Sequence, residues 1–435
     1  MATRMATRLG VAVVLGSTVA LLAASPAFGA VITPNTFGDE NGGGPGCSLR
    51  EAILAANNDA AFGGCPPGTG ADTIPLADGT YRLSIPLGTP GDDGDLDVSS
   101  QLTIAHAGVA PAVIDGGGVD RVIHLLGGAS LTGSGFAIRN GRTAQSGGGV
   151  RNEGSLDLSD VTVSGNETTA SFGGGIANSG TATMSLTNVT VSGNGAEGDG
   201  GGIDQGVGGQ LNLNSVTIAG NTTGTDGDTG GGGGIFNAGG AINLRNTIIA
   251  RNRDNTSAPI PDSPDCGGAA YTSGRNNLIG DLTGCNFVAA GGDETNVNPR
   301  LGPLANNGGP AFTHALLAGS PAIEAGGGGA ARTDQRGVPR RAPDIGAYEF
   351  ATCAGRVVNR VGTSGKDKLV GTSGADGILG LGGSDILKGH AGKDGLCGGG
   401  GRDKLHGQRG KDTLIGGKGK DVCKGGPGKD VVKSC

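Results

Sequence analysis

Eight aspartates recur every nine residues toward the C-terminus: Asp367, Asp376, Asp385, Asp394, Asp403, Asp412, Asp421 and Asp430. Two residues ahead of each stands a glycine (Gly365, Gly374, Gly383, Gly392, Gly401, Gly410, Gly419 and Gly428), and five ahead stands another, from Gly362 to Gly425. Carboxylates in a row beside turn carbonyls make an all-oxygen donor set, which suits a hard cation such as Ca2+. Without an ion, like charges stacked a few ångströms apart repel. The same spacing dictates what must hold them. Two residues after each aspartate comes a core-forming residue: Leu369, Ile378, Leu387, Leu396, Leu405, Leu414, Cys423 and Val432. Each unit therefore divides into a tight glycine turn and a short strand with one inward side chain.

This run resembles the hemolysin-type (RTX) nonapeptide repeat. The resemblance implies a parallel β-roll in which each calcium ion sits between turns two repeats apart, the aspartates and the glycines before them forming the metal site, with room for roughly six ions. Two features depart from the pattern. The unit's second glycine survives only as Gly399, Gly417 and Gly426, while Thr363, Thr372, Leu381, His390 and Gln408 stand elsewhere. The residue before the aspartate is often basic, as at Lys366, Lys393, Arg402, Lys411, Lys420 and Lys429. A cation there weakens calcium binding or partly replaces the ion. A glycine-rich roll that folds without metal is the competing reading.

A longer period precedes the roll. Gly-Gly-Gly-Val/Ile recurs at residues 147–150, 173–176, 200–203 and 232–235, each followed by an apolar stretch ending at Asn166, Asn194, Asn221 or Asn252. Ten, eight, five and three residues before those asparagines lie apolar positions, for example Leu156, Leu158, Val161 and Val163. Steps of two are strand alternation and the step of three is a corner. The expected architecture is an all-β solenoid: a right-handed parallel β-helix of the pectin-lyase-like kind, followed by the calcium-binding parallel β-roll. Asn152, Asn178, Asp204 and Asn237 are expected to form one side-chain ladder and the terminal asparagines another, satisfying turn groups rather than binding a ligand.

The stretch Cys47-Ser48-Leu49-Arg50-Glu51-Ala52 has capping-box spacing and predicts a helix over residues 49–57 that covers the open end of the stack. It resembles the CSLREA-type N-terminus of secreted bacterial β-helix proteins. Residues 298–350, with Gly319-Ser320-Pro321-Ala322-Ile323, Asp334-Gln335-Arg336-Gly337 and Asp344-Ile345-Gly346-Ala347-Tyr348-Glu349, resemble the end of the choice-of-anchor β-helix family, with Glu324 where Asp or Asn is more usual. The resulting division is a signal peptide over 1–29, the β-helix over 30–350, a linker over 351–361 and the roll over 362–435.

Arg4 and Arg8, an apolar run over 11–24 and Ala27-Phe28-Gly29 read as a secretory signal, and no other run is long enough to span a membrane. Eight cysteines in an exported chain imply disulfides, grouped by sequence as Cys47 with Cys65, Cys266 with Cys285, Cys353 with Cys397, and Cys423 with Cys435. Residues 351–435 hold 11 Lys and 4 Arg against 8 Asp, a net of +7 in a chain of net −7. A basic tail of this kind suits an anionic cell-wall polymer or polysaccharide. Nucleic acid is disfavoured, because no aromatics interleave with the basic residues.

The rival function is a polysaccharide lyase or glycoside hydrolase on the same scaffold, with an arginine or carboxylate as proton carrier. Its candidates are Arg139, Arg151, Arg245 and Arg251, with Asp157, Asp160, Asp199 and Asp204, and they form no recognisable constellation. His106, His124, His314, His390 and His406 are scattered singly and read as surface or turn residues. The acidic insert over 91–97, with Asp92, Asp93, Asp95 and Asp97, reads as a solvated loop. Tryptophan is absent and aromatics are 3% of the chain, few for sugar-stacking platforms. The expected function is therefore a non-enzymatic exported protein of adhesion, surface association or matrix.

Overall fold

A computed structural model describes residues 29–86, 94–224, 231–256 and 262–435. The leader read from residues 1–28, and Asp92 and Asp93 of the acidic insert, lie outside the described residues. Four parallel sheets of eight, seven, nine and five strands stack along one axis as a β-helix. One coil runs Val150–Asn152, Ser155–Ser159, Thr162–Ser164 and Glu167–Thr168. The next coil repeats it in register, Leu156 on Met184, Leu158 on Leu186 and Val163 on Val191. The apolar positions counted from the sequence all point inward, and Leu158, Val161 and Val163 are fully buried. Burial of each such side chain is worth about 1.5–3 kcal/mol. The triple-glycine corners exist because backbones cross there. A Cβ on Gly174 would lie 2.2 Å from the Gly195 carbonyl oxygen, and one on Gly201 2.3 Å from that of Thr222.

The terminal asparagines form a continuous ladder. The Nδ2 of Asn166 donates to Asn194, Asn194 to Asn221, Asn221 to Asn252 and Asn252 to Asp265, each at 2.9 Å. The second ladder corrects one sequence expectation. The Nδ2 of Asn152 donates to Asn178 at 2.6 Å and that of Asn178 to Gln205 at 2.8 Å. Gln205, not Asp204, occupies the inward position in register with Asn237. An ionised carboxylate has no hydrogen to donate, so it serves at the end of such a ladder, as Asp265 does, but not in the middle.

The helix Leu49–Asn58 covers the first coil, with Leu49, Ala52 and Ile53 buried and a capping box between Ser48 and Glu51. Residues 298–350 lie against the outer side of the nine-stranded sheet. Gln335 bonds Thr162 and Thr190, the Ala347 N–H donates to Thr217, and His314 meets Ser192 at 2.8 Å. Arg336 is fully buried, paired with Asp334 at 2.8 Å and set over the Tyr348 ring at 3.7 Å. It also donates to the carbonyls of Glu349 and Val358. The stretch 351–361, offered by the sequence as a linker, is built into the roll: Thr352–Cys353 pairs with Arg356–Val357, and Arg360–Val361 joins the roll's first sheet. Disulfides join Cys47 to Cys65, Cys266 to Cys285, Cys353 to Cys397 and Cys423 to Cys435, and no cysteine is free.

Candidate functional site

In the roll, strands pair with those two repeats away: Lys368–Val370 with Ile386–Lys388, then Lys404–His406, then Val422–Lys424. A second sheet does the same on the other side, from Gly377–Leu379 through Gly395–Gly401 to Thr413–Gly419. Two aspartate columns result. Asp367, Asp385, Asp403 and Asp421 line one edge, and Asp376, Asp394, Asp412 and Asp430 the other. Within each column, Oδ1 accepts the backbone N–H of the aspartate one turn earlier, at 2.8–3.0 Å in all six pairs.

The second oxygen divides the column in two. In Asp367 and Asp376, Oδ2 accepts the N–H and hydroxyl of Thr363 and Thr372, at 2.6 and 3.0 Å. In Asp385, Asp394, Asp403, Asp412 and Asp421, Oδ2 is buried and has no partner. The glycine five residues ahead leaves the space this oxygen uses, because a Cβ on Gly380, Gly389, Gly398, Gly407 or Gly416 would approach it to 2.4–2.7 Å. The glycine two residues ahead has positive φ from Gly383 onward among Gly383, Gly392, Gly401, Gly410, Gly419 and Gly428. There a Cβ would lie 1.5–2.2 Å from a carbonyl oxygen of the preceding turn. Gly365 and Gly374 meet no carbonyl of an earlier turn, and a Cβ there would touch only the hydroxyls of Thr363 and Thr372, at 3.4 and 3.5 Å.

Burial, then the like charges of column neighbours, push the Asp385 and Asp394 carboxyls up to about 6 and raise those of Asp403 and Asp412. Orphaned oxygens, glycine-made space and strained ionisation all fit a divalent cation with oxygen ligands. The basic residues ahead of the aspartates do not occupy that space. Lys366, Lys393, Arg402, Lys411, Lys420 and Lys429 are exposed, and none forms an ion pair among the described residues. Thr363 and Thr372 were the informative departures: a hydroxyl at that position satisfies the carboxylate internally.

Of the lyase candidates, Arg151 and Asp204 share one face of the seven-stranded sheet, two coils apart, and the rest lie elsewhere. Arg139 pairs with Asp115 at 3.0 Å, and Arg251 donates to the Leu301 carbonyl. Asp160 bonds Asn188, and Asp199 accepts the Gly231 N–H. Asp157 faces outward on the eight-stranded sheet. Two histidines differ from expectation. His106 is buried between the Gly135 carbonyl and Asp78, and His314 between Ser192 and the Gly302 carbonyl, because each fills a polar gap at a strand end. Nor is His124 solitary: on the seven-stranded sheet, Asp97, His124, Arg151, Ala177, Asp204 and Phe236 stand in register on successive coils. His124 Nδ1 lies 3.1 Å from Asp97, and Arg151 pairs with Glu153.

Asp204 is the most perturbed member of that row. Burial first, then Asp199, push its carboxyl up to about 7. A carboxyl whose folded pKa lies above its unfolded value stabilises the fold fully below the unfolded pKa, and that contribution is lost as pH rises through about 7. Asp204→Asn is therefore expected to raise the melting temperature at pH ~8 and to change it little at pH ~3, where the folded carboxyl is protonated and the unfolded one largely so. An equal shift at both values would contradict the assignment.

Residues 361–396 and 398–432 match the RTX calcium-binding nonapeptide repeat, described as four copies. No curated protein matches the chain. A solved structure titled "Crystal structure of pectate lyase Pel9A" aligns at 13% identity with a TM-score of 0.35, over 65% of this chain and 88% of that one. The strand register, not this likeness, establishes the parallel β-helix.

Proposed function

We propose that the chain is an exported, calcium-stabilised β-helix that lays its flank along a cell-wall polymer or other polysaccharide, in surface association, adhesion or matrix building. The observation that carries this reading is an outward row on the eight-stranded sheet. Thr103, Thr132, Asp157, Ser185, Asn212 and Asn243 follow one another in register, one per coil. Hydroxyls and amides repeated about every 4.8 Å along an axis match the periodic hydroxyls of a glycan strand. A shallow groove of about 430 Å³ lies over the end of that row, lined by Ser185, Thr187, Asn212, Asn243 and Arg245 among others.

In this reading Ca2+ is held by the column carboxylates together with turn carbonyls. Asp385, Asp394, Asp403, Asp412 and Asp421 have an oxygen to spare, and Asp367 and Asp376 contribute less because their threonines already serve them. Full pairing of the cysteines supports an oxidising, extracellular setting. Among the described residues no helix is long and apolar enough to cross a membrane.

The test is a glycan array on the calcium-loaded full chain beside the Asn212→Ala/Asn243→Ala double variant. Binding to a polysaccharide that falls at least tenfold in the variant is expected. Failure to bind any glycan, or equal binding by both proteins, would sink the reading. An ultraviolet assay for unsaturated uronides on pectin, alginate and glycosaminoglycans runs alongside, and turnover there would put the lyase in its place.

A further inference from the structure

The one group of three metal-capable side chains among the described residues lies not in the roll but on the seven-stranded sheet of the β-helix. Asp95, Asp97 and His124 each offer one donor atom, and the three atoms lie within 4.8 Å of one another. Their positions are fixed by the coil repeat. The strand Leu96–Val98 pairs in register with Ile123–Leu125, which sets Asp97 directly beside His124 on the outer side of the seven-stranded sheet. Asp95 enters from the residue ahead of that strand and is only 4% exposed.

Asp95 is the observation that points beyond a polar cluster. Its Oδ2 accepts from Arg121 at 2.8 Å, and its backbone carbonyl accepts from Arg50. Its Oδ1 is buried with no hydrogen-bond partner. A desolvated carboxylate oxygen without a donor is costly to keep. Burial outweighs Arg121 and pushes this carboxyl up to about 6, with Asp97 adding to the rise. The Nε2 of His124 faces Glu153 at 3.6 Å, on the side of the ring away from Asp97, and Glu153 is itself engaged by Arg151. His124 Nδ1 and Asp97 Oδ1 stand 3.1 Å apart, near enough to serve one ion between them.

We propose that Asp95, Asp97 and His124 form a second metal site, separate in place and in chemistry from the roll, that takes a divalent transition metal of the Zn2+ type. An imidazole nitrogen with two carboxylates favours such an ion, whereas the nitrogen-free columns of the roll favour Ca2+. Three protein donors leave a coordination position for solvent or for an oxygen of a bound ligand. The site borders the Arg151 and Asp204 row, so an ion there adds positive charge at the start of that face. The proposal does not depend on calcium binding by the roll or on the glycan reading.

Zn2+ is titrated into the full chain by calorimetry in saturating Ca2+, after metals have been stripped and Ca2+ restored. One Zn2+ site is expected in the parent chain. It should be lost in His124→Gln, weakened at least tenfold in Asp97→Asn, and unchanged in His406→Gln, which removes an imidazole from the roll. Should either variant fold poorly, Co2+ added to the parent chain is expected to give the visible absorption of a nitrogen- and oxygen-ligated ion, quenched by equimolar Zn2+. Absence of Zn2+ binding, a Zn2+ site that survives His124→Gln, or no quenchable Co2+ band would each overturn the proposal.

Discussion

Chelating calcium from the full chain is expected to strip the β structure from the later turns of the roll while residues 30–350 keep theirs. Five buried oxygens there, those of Asp385, Asp394, Asp403, Asp412 and Asp421, are satisfied by no protein group. Each faces a column neighbour of the same charge, and burial already raises four of these carboxyls. An ion that binds only the folded turn stabilises it by about 2.7 kcal/mol when free calcium exceeds Kd a hundredfold. Extracellular calcium modules work at about 0.1–1 mM. Several such sites acting on one short stack decide whether it folds at all. Hydrogen exchange read by mass spectrometry, with calcium and with chelator, resolves the two regions. Protection across residues 380–430 that is the same in both conditions would defeat the account. The double variant Asp403→Asn/Asp421→Asn, which disarms two successive members of one column, should raise the calcium needed for half-protection at least tenfold.

Gly401→Ala is expected to disrupt the roll even in saturating calcium, while Gly400→Ala, one residue away, is tolerated. At Gly401 φ is +130° and a Cβ would sit 1.6 Å from the Gly383 carbonyl oxygen. The backbone strain alone costs about 1–3 kcal/mol, and the collision adds to it by forcing two turns apart. Gly400 meets nothing nearer than the Leu381 carbonyl at 4.0 Å. Calorimetric melting in calcium should show the Gly401 variant's roll transition lowered by many degrees or missing, and that of the Gly400 variant within a degree or two of the parent. Equal melting of the two variants would mean that the turns are not stacked as described.

These contacts also explain what could be read from residue spacing. The inward sets Leu156–Leu158 and Val161–Val163 were legible because strand alternation and a corner leave a fixed signature of twos and threes. The asparagine ladder was legible because one amide per coil can both donate and accept. Asp204 was misplaced by one position, and the chemistry of a ladder, which needs a donor, selects Gln205 instead. The first repeats looked like faulty copies of the calcium pattern. Thr363 and Thr372 are in fact substitutes, hydroxyls standing where later turns leave a carboxylate oxygen bare. His124 was missed for a different reason: its neighbours are remote in sequence. Yet Asp97, His124 and Arg151 are spaced by 27 and 27 residues, the coil length seen downstream, and carrying that period toward the N-terminus would have aligned them. His106 and His314 gave no such signal, since their partners come from strand ends and from the covering segment.

Arg336 spans the junction, gripping Asp334 on one side and the Val358 carbonyl on the other, and the strand Arg360–Val361 continues from there into the roll. The first turn is thus laid on a platform that is already rigid, and its two threonines let it form before any ion arrives. A one-dimensional stack with a ready-made starting end has no costly nucleus to wait for. Assembly of the tail is therefore expected to run from its fixed end outward, turn upon turn. The same tail cut free would hesitate at low calcium and respond only at higher concentration.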